Sequence, residues 1–461
     1  MKDEIIELIS KKKYKSLYDL LDVMNEVDIS ALMTELNQEE LVKVFRLLSK
    51  DKAVDVFAEM DPDDQEKLIE SLTDNELQKV ISEMYLDDTV DLISEMPSTV
   101  VKRILRATTP DHRREINELL KYPEDSAGSI MTTEFVELHS DMTVRDAIDD
   151  IRREAIDKET VYTCYVLDAT RHLQGIVTVK DLLISDYDVV IRDIMEENII
   201  SAKTLDDQEE VAKLFDKYNF LALPVVDSEN RLVGIVTVDD AIDVLQEENA
   251  EDFELMGAVI PNDETYFKTS VFKHALHRLP WLALLMISAI ISGFILQKYE
   301  TVFAAFPLLV ILLTNITDTG GNSGTQSSTL IIRGLATDEI TLKDYLRVVW
   351  KEFRIGLVCS VVLAIVNGLR VYLQYKNSAE ANYAQTALPV AIIVALTMVC
   401  VVIVAKLLGA SLPMLAKLVH LDPAIMATPF LTTLVDAVAV LLYFAIAARV
   451  LTVFFPAAVL G

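Results

Sequence analysis

Asp436 is the residue whose surroundings suit it least. From Pro423 the sequence PAIMATPFLTTLVDAVAVLLYFAIA is almost wholly apolar, and it is long enough to cross a bilayer as a helix. Asp436 lies thirteen residues into it. At 1.5 Å per residue that is roughly 20 Å deep, near the midplane. A carboxylate at that depth is costly unless it faces a water-filled path, and it marks an ion route. Thr432 and Pro429 fall on the same helical face. The competing reading is a carboxylate paired with an intramembrane arginine. Arg370 and Arg449 are the candidates, and both read as lying near helix ends. A second polar run, NITDTGGNSGTQSSTLIIRG, follows an apolar segment further upstream. Polar residues and glycines at membrane depth are tolerated where they pack on protein or line a cavity, and the glycines let helices approach closely.

The charge of the chain is concentrated away from these segments. The 461 residues are half apolar, yet the formal net charge is −30. From Glu251 to Gly461 there are fourteen acidic and fourteen basic residues, which leaves 58 acidic and 28 basic residues in the first 250. An acidic half of that size excludes nucleic acid and direct adhesion to anionic lipid as its partners, and it suits cations. Solubility alone needs much less charge. The three cysteines have neither zinc nor disulfide spacing, and the histidines form no set beyond His274 and His277. The opening MKDEIIELISKKK lacks the apolar core of a signal peptide.

The elements that must position these charges are repeats. Residues from about 37 to 108 repeat with a period of twelve: NQEELVKVFRLL, SKDKAVDVFAEM, DPDDQEKLIESL, TDNELQKVISEM and YLDDTVDLISEM. Columns eight, nine and twelve are apolar, as in Val44, Phe45 and Leu48 or Val56, Phe57 and Met60. That spacing predicts one face of a two-turn helix. Asn, Ser, Asp, Thr and, in the last unit, Asp87 stand near the starts as N-cap choices. The units therefore read as a small all-α superhelix, each burying its face on its neighbours. Its outer surface carries Glu59, Glu83, Asp87, Asp88, Asp91 and Glu95.

A second repeat, of about sixty residues, fills 126–246. YVLDATRHLQGIVTVKDLL is echoed by PVVDSENRLVGIVTVDDAI, and β-branched runs alternate with helical patterns. The G-I-V-T-V-x-D element resembles the cystathionine-β-synthase (CBS) domain, and two in tandem imply an α/β module that can bind an adenine nucleotide between its halves. The resemblance implies that Asp181 or Asp240 meets ribose hydroxyls. Residues 239–256, DDAIDVLQEENAEDFELM, follow as one uninterrupted acidic helix with no Lys or Arg. Such a helix repels itself, and bound cations would order it. Apolar spans are predicted at about 280–297, 302–332, 355–375, 387–405 and 424–448. Lys and Arg are richest in 333–354 and in the turn before the last span, with Lys406, Lys417 and His420. These loops and the soluble half are expected in the cytosol, which leaves the C-terminus outside.

The joint pattern resembles the MgtE family of magnesium channels, over the whole chain. The residues that carry the resemblance are TGGNSGTQ (319–326) and LDPAIMATPFLTTLVD (421–436). It implies a multi-pass protein of the cytoplasmic membrane. The domains would be an acidic superhelix (1–125), a tandem CBS pair (126–246), a connecting plug helix (239–262) and a pore domain of five transmembrane helices (268–461). It further implies a homodimer with the pore between subunits. Asp436 would hold hydrated magnesium and Asp422 would stand near the cytosolic mouth, with Thr432, Asn322, Gly321 and Gly324 lining the path. Magnesium would be sensed by Asp240, Asp243, Glu248, Glu251 and Asp252 on the connecting helix, with superhelix partners among Glu59, Asp87 and Asp91. An ATP site would use Asp181, Phe220 and Ala222. Asn219 stands where some relatives have an acid, so that sensing position does not carry over to this chain.

The chemistry agrees with that resemblance. Magnesium gives up its water reluctantly and is held by one or two carboxylates through several waters. No His or Cys set exists for a softer metal, although the same donors would accept manganese or cobalt. No nucleophile–base pair and no phosphate loop appears, so the chain does not read as an enzyme. The alternatives are a secondary carrier, with Asp318 and Asp436 as coupling carboxylates, and a membrane-tethered nucleotide sensor without transport.

Overall fold

The structure, a computed structural model, describes residues 2–155, 158–262, 266–267, 269–300, 306–378, 381–426 and 428–455. The chain divides into two compact units, Met1–Gln246 and Glu247–Gly461.

The first unit opens with ten short helices: α1 (Lys2–Ser10), α2 (Tyr14–Val23), α3 (Glu26–Met33), α4 (Gln38–Phe45), α5 (Lys50–Ala58), α6 (Pro62–Ser71), α7 (Asp74–Ile81), α8 (Leu86–Glu95), α9 (Ser98–Ala107) and α10 (Pro110–Leu119). Each starts twelve residues after the last, so the period read over 37–108 extends to α1–α3 and to α10. Twelve residues make a helix of two to three turns and a tight corner, and helices two apart pack together: α3 on α5, α5 on α7, α7 on α9, α8 on α10. Leu41, Val44 and Phe45 of α4, and Leu77, Val80 and Ile81 of α7, are buried between neighbours. Each such side chain stabilises the stack by about 1.5–3 kcal/mol. Asn25, Asn37, Thr73 and Thr109 cap their helices through side-chain oxygens, and Thr73 with Glu76 closes a capping box. Ser49 and Asp61 stand at N-caps without a side-chain bond. The N-cap of α8 is Tyr85, so Asp87 is not a cap; it lies inside the helix and is buried.

Two like-built α/β halves follow. The first contains β1 (Val136–His139), α11 (Val144–Glu154), β2 (Thr163–Leu167), β3 (Leu173–Thr178) and α12 (Val179–Ile184). The second contains β4 (Ala202–Lys203), α13 (Gln208–Tyr218), β5 (Ala222–Val226), β6 (Leu232–Thr237) and α14 (Val238–Met256). The sheets run β1-β2-β3 and β4-β5-β6, each with one parallel and one antiparallel pair. Val166 faces Gly175 as Val225 faces Gly234, and the register slips at the same place in both. Phe135 and Tyr165 from one half share a core with Ala222 and Ile235 from the other. Bonds from Ala127 N to Asp206 O and from Gln208 N to Asp125 O, 2.8 and 3.0 Å, tie the end of the superhelix to the second half. Helix α14 ends at Met256, short of residue 262, with Ala258 in the left-handed region (φ 54°) that turns the chain away.

The second unit contains α15 (Val271–Lys298), α16 (Pro307–Ala336), α17 (Tyr345–Tyr375), α18 (Ala381–Leu418) and α19 (Thr428–Phe454). Among the described residues four helices are long and apolar enough to cross a membrane, namely α15, α17, α18 and α19. Helix α16 has 30 residues, long enough at about 45 Å, but its second half is polar. The helices outrun the expected spans. Residues 345–354, expected in a loop, begin α17, and Lys406, expected in a turn, lies inside α18. Lys406 is buried there, its Nζ reaching Ser327 Oγ (3.4 Å) and Ser323 O (3.5 Å), while Ser327 Oγ donates to buried Glu352 at 2.6 Å. This polar link between α16, α17 and α18 explains how both charges are accommodated inside the bundle.

Candidate functional site

Helices α16 and α19 face one another across a cavity of about 260 Å³, lined by Thr314, Thr317, Asp318, Gly321, Asn322, Thr432 and Asp436. Four of the expected pore residues, Gly321, Asn322, Thr432 and Asp436, are therefore brought together. The i, i+4 spacing of Thr432 and Asp436 on α19, and of Thr314, Asp318 and Asn322 on α16, makes each set a single stripe. Gly321 is needed for the close approach: a Cβ there would stand 3.2 Å from Thr432 Cγ2. Asp436 makes no hydrogen bond or ion pair with a described residue, and the arginine pairing is not formed. Arg370 instead bonds Asn367 Oδ1 and Gln374 Oε1.

Gly324 and Asp422 do not line this cavity. A Cβ on Gly324 would stand 3.2 Å from Ala405 O and 3.3 Å from Leu431 Cδ2, and one on Gly409 would collide with Gly324 O. Gly324 is thus where α16 meets the backbone of α18. Asp422 precedes the short 3₁₀ turn Pro423–Met426, and its Oδ1 accepts the Ala424 N–H at 2.6 Å.

The first unit gathers acids of its own. Asp87, Glu134 and Glu159 each point a carboxylate oxygen to within 4.8 Å of the others. Glu134 also accepts the Leu86 N–H at 3.2 Å. Glu159 Oε2 is buried with no hydrogen-bond partner among the described residues. Burial, then the charges of Asp88, Asp239, Asp240 and Glu134, pushes the Glu159 carboxyl up to about 8. Burial, then Asp240, Glu159 and Asp88, holds Asp87 well above the carboxylate range. Asp88 and Asp240 are each raised to about 6, mainly by burial. Glu59 and Asp243 are raised by burial first, Asp243 and Asp239 adding to Glu59 and Asp239 to Asp243. No Lys or Arg forms an ion pair with Asp87, Asp88, Glu134, Glu159 or Asp240 among the described residues. Asp91 is exposed on α8. On the second half of α14, Glu248 and Asp252 are half-buried and Glu251 is exposed. Asp87, Asp240, Asp243 and Glu59 are thus brought into one acidic region. Glu134 and Glu159 stand outside the sensing residues that the resemblance implies.

A larger cleft of about 820 Å³ lies between the two α/β halves. Phe220 and Ala222 line it, with Tyr162, Thr178, Asn198 and Tyr218. Phe220 stacks on Tyr218, centroids 5.3 Å apart and planes 22° off parallel. Asp181 does not line the cleft. Its Oδ2 accepts the Thr178 N–H (3.2 Å) and the Thr178 hydroxyl, and its Oδ1 keeps its lone pairs. Asp240 holds Thr237 in the same way. Asn219 caps α13 in the left-handed region, φ 55°, a role that suits Asn and restricts larger acids.

Comparison with known proteins agrees with these features. Residues 313–446 match the family model MgtE, a divalent cation transporter; 24–125 match the MgtE intracellular N domain; 127–187 and 191–247 match the CBS domain. The chain is 37% identical over 444 residues to the magnesium transporter MgtE of Thermus thermophilus, covering 96% of each chain. It is 31% identical over 447 residues to the magnesium transporter MgtE of Bacillus subtilis, again 96% of each. Among solved structures it is similar to the cytosolic domain of the Mg2+ channel MgtE in complex with ATP, at 35% identity and a TM-score of 0.51, covering 53% of this chain and all of that one.

Proposed function

The chain belongs to the MgtE family, and from that premise we propose that it carries magnesium across the cytoplasmic membrane rather than catalysing a reaction. The carrying observation is the cavity between α16 and α19, with Asp436 unpaired beside the hydroxyl of Thr432 and the amide of Asn322. A hydrated divalent ion supplies the missing counter-charge and is held through its own water, as magnesium prefers. The exposed stripe Thr314, Asp318 and Asn322 cannot face lipid. That supports a second copy of the chain across the path, five spans per chain and a pore on the two-fold axis. The N-terminal half then lies in the cytosol and the C-terminus outside.

The acidic region of the soluble unit supports regulation by the same ion. Like charges about 4 Å apart repel by roughly 4 kcal/mol at an effective dielectric of 20, and a divalent ion between them reverses that sign. Magnesium bound by Asp87, Asp240, Asp243, Glu59 and their neighbours, and by Glu248, Glu251 and Asp252 of α14, would order the unit and close the path when the cytosolic ion is abundant. The cleft with Phe220 and Ala222 suits an adenine nucleotide such as ATP, with Asp181 Oδ1 towards the ribose, and its occupancy would shift magnesium sensing by linkage.

Two carboxylates in one cavity also fit a secondary carrier. Purified protein in liposomes separates the readings. Magnesium uptake with single-channel currents is expected; uptake without resolvable currents assigns a carrier, and no uptake rejects transport.

A further inference from the structure

We propose that Asp318 is a second ion-holding carboxylate of the permeation path and sets its preference for divalent over monovalent cations; this rests on the transport reading above. Asp318 sits eleven residues into the 30-residue helix α16, roughly 16 Å from its start, a depth at which a charge needs a functional reason. It lines the same cavity as Asp436, so the two helices present one carboxylate each to one volume of about 260 Å³. Neither makes a hydrogen bond or an ion pair among the described residues. Two cations of the membrane helices are committed elsewhere: Lys406 to Ser327 and Ser323, Arg370 to Asn367 and Gln374. The neighbours of Asp318 on the stripe, Thr314, Thr317 and Asn322, are uncharged hydrogen-bonding groups that suit an ion's water shell.

A lone Asp436 from each of two subunits would balance one divalent ion. With Asp318 the path carries twice that charge, so a monovalent ion leaves most of it uncompensated. The ion is attracted through water rather than stripped, so each carboxylate acts at about 6 Å and in a dielectric near that of water. One such charge is worth about tenfold in affinity for a divalent ion, and only about threefold for a monovalent one.

The test uses full-length protein reconstituted in liposomes, with magnesium and sodium fluxes measured for the wild type and for Asp318→Asn, Asp318→Thr and Asp318→Glu. Asp318→Thr repeats the residue type on either side of the position, so a folding failure of one neutral variant leaves the other. The expected result is a half-saturating magnesium concentration raised about a hundredfold in the neutral variants, which lose one charge from each of two subunits, with that for sodium raised only about tenfold so that selectivity for magnesium falls, and near-wild-type behaviour of Asp318→Glu. Wild-type magnesium flux with unchanged affinity and selectivity in the neutral variants overturns the proposal and leaves the transport reading standing. Unchanged affinity together with loss of dependence on an imposed proton gradient overturns it in favour of a coupling role. Absence of magnesium flux in the wild type overturns both.

Discussion

The two units treat carboxylates in opposite ways. In Met1–Gln246, Asp87, Asp88, Glu134, Glu159 and Asp240 are packed against protein and against one another, and their proton affinities rise accordingly. In Glu247–Gly461, Asp318 and Asp436 sit on separate helices around an open polar cavity lined by hydroxyls and an amide. A crowded, largely buried cluster stores repulsion that a bound cation would relieve, and its conformation would then depend on ion concentration. A pair set around an open cavity would attract an ion without requiring the protein to rearrange. Crowding suits a sensor, and spacing suits a path.

The largest effect expected from breaking this contrast is at the path. Asp436→Ala should cut magnesium flux by roughly 10–100-fold, the loss that corresponds to about 1.5–3 kcal/mol for a hydrogen bond to a charged group. Flux assays in liposomes at matched protein content read it. Normal flux would mean that the cavity between α16 and α19 is not the route.

Next in size is removal of the acidic unit. A chain lacking residues 1–246 should conduct and should no longer be shut by millimolar internal magnesium. Patch recordings with magnesium varied on the internal side measure this. Closure of the truncated chain would make the acidic unit a solubility feature.

Gly324→Leu should reduce conduction several-fold without touching the cavity. Leucine would have to fit between Ala405 O and Leu431, and overpacking of this kind costs about 1–3 kcal/mol. If the variant conducts normally, the α16–α18 contact is not part of the path's framework.

Much of this was legible in the sequence. Columns eight, nine and twelve of the twelve-residue period are apolar in α2 and α3 too, at Leu20, Leu21, Met24 and Leu32, Met33, Leu36. Those units could have been found. The pattern blurs at the end, where Thr108 and Asn117 occupy apolar columns, and only the packing of α10 on α8 shows that the stack continues. The carboxylates that line the cavity between α16 and α19 were legible because a charge in an apolar run is conspicuous. Lys406 and Glu352 were misplaced for the same reason. Charges near helix ends read as loop markers, but here they are satisfied through Ser327 inside the bundle. Glu134 and Glu159 left no local signal, since what makes them notable is Asp87, 47 residues before Glu134.

In the α/β cleft the expected effect is on binding and not on conduction. Asp181→Ala should weaken ATP binding about tenfold, as loss of one ribose hydrogen bond to a carboxylate would. It should also loosen the start of α12, because Asp181 holds the Thr178 N–H there. Calorimetry with ATP, together with Phe220→Ala, separates the two causes. Phe220 lines the cleft without capping a helix, so equal binding by both variants would remove the nucleotide from this cleft.

The smallest effect probes the crowding itself. Carboxyls raised by burial and by like charges bind protons more tightly folded than unfolded, so the folded state gains from acid. Without magnesium, residues 1–256 should therefore be most stable near the ordinary carboxylate range, below about pH 5. Stability should fall as pH rises through about 6, where Asp88 and Asp240 ionise, to about 8, where Glu159 does. Glu159→Gln deletes one of these charges while keeping the shape. It should raise the metal-free melting temperature at pH 8 by roughly 2–4 °C, the shift that about 1 kcal/mol gives in a domain of this size, a figure already reduced for residual solvent. Below about pH 4 the variant and the wild type should melt together, because the wild-type carboxyl is then protonated in both the folded and the unfolded chain. Magnesium should raise the wild-type melting temperature at pH 8 more than that of Glu159→Gln, since the variant has one ligand fewer and less repulsion to relieve. A wild-type unit whose stability is flat from pH 5 to 8, or that magnesium stabilises no more than Glu159→Gln, would show that its acids are solvated rather than crowded, and the contrast with the path would disappear.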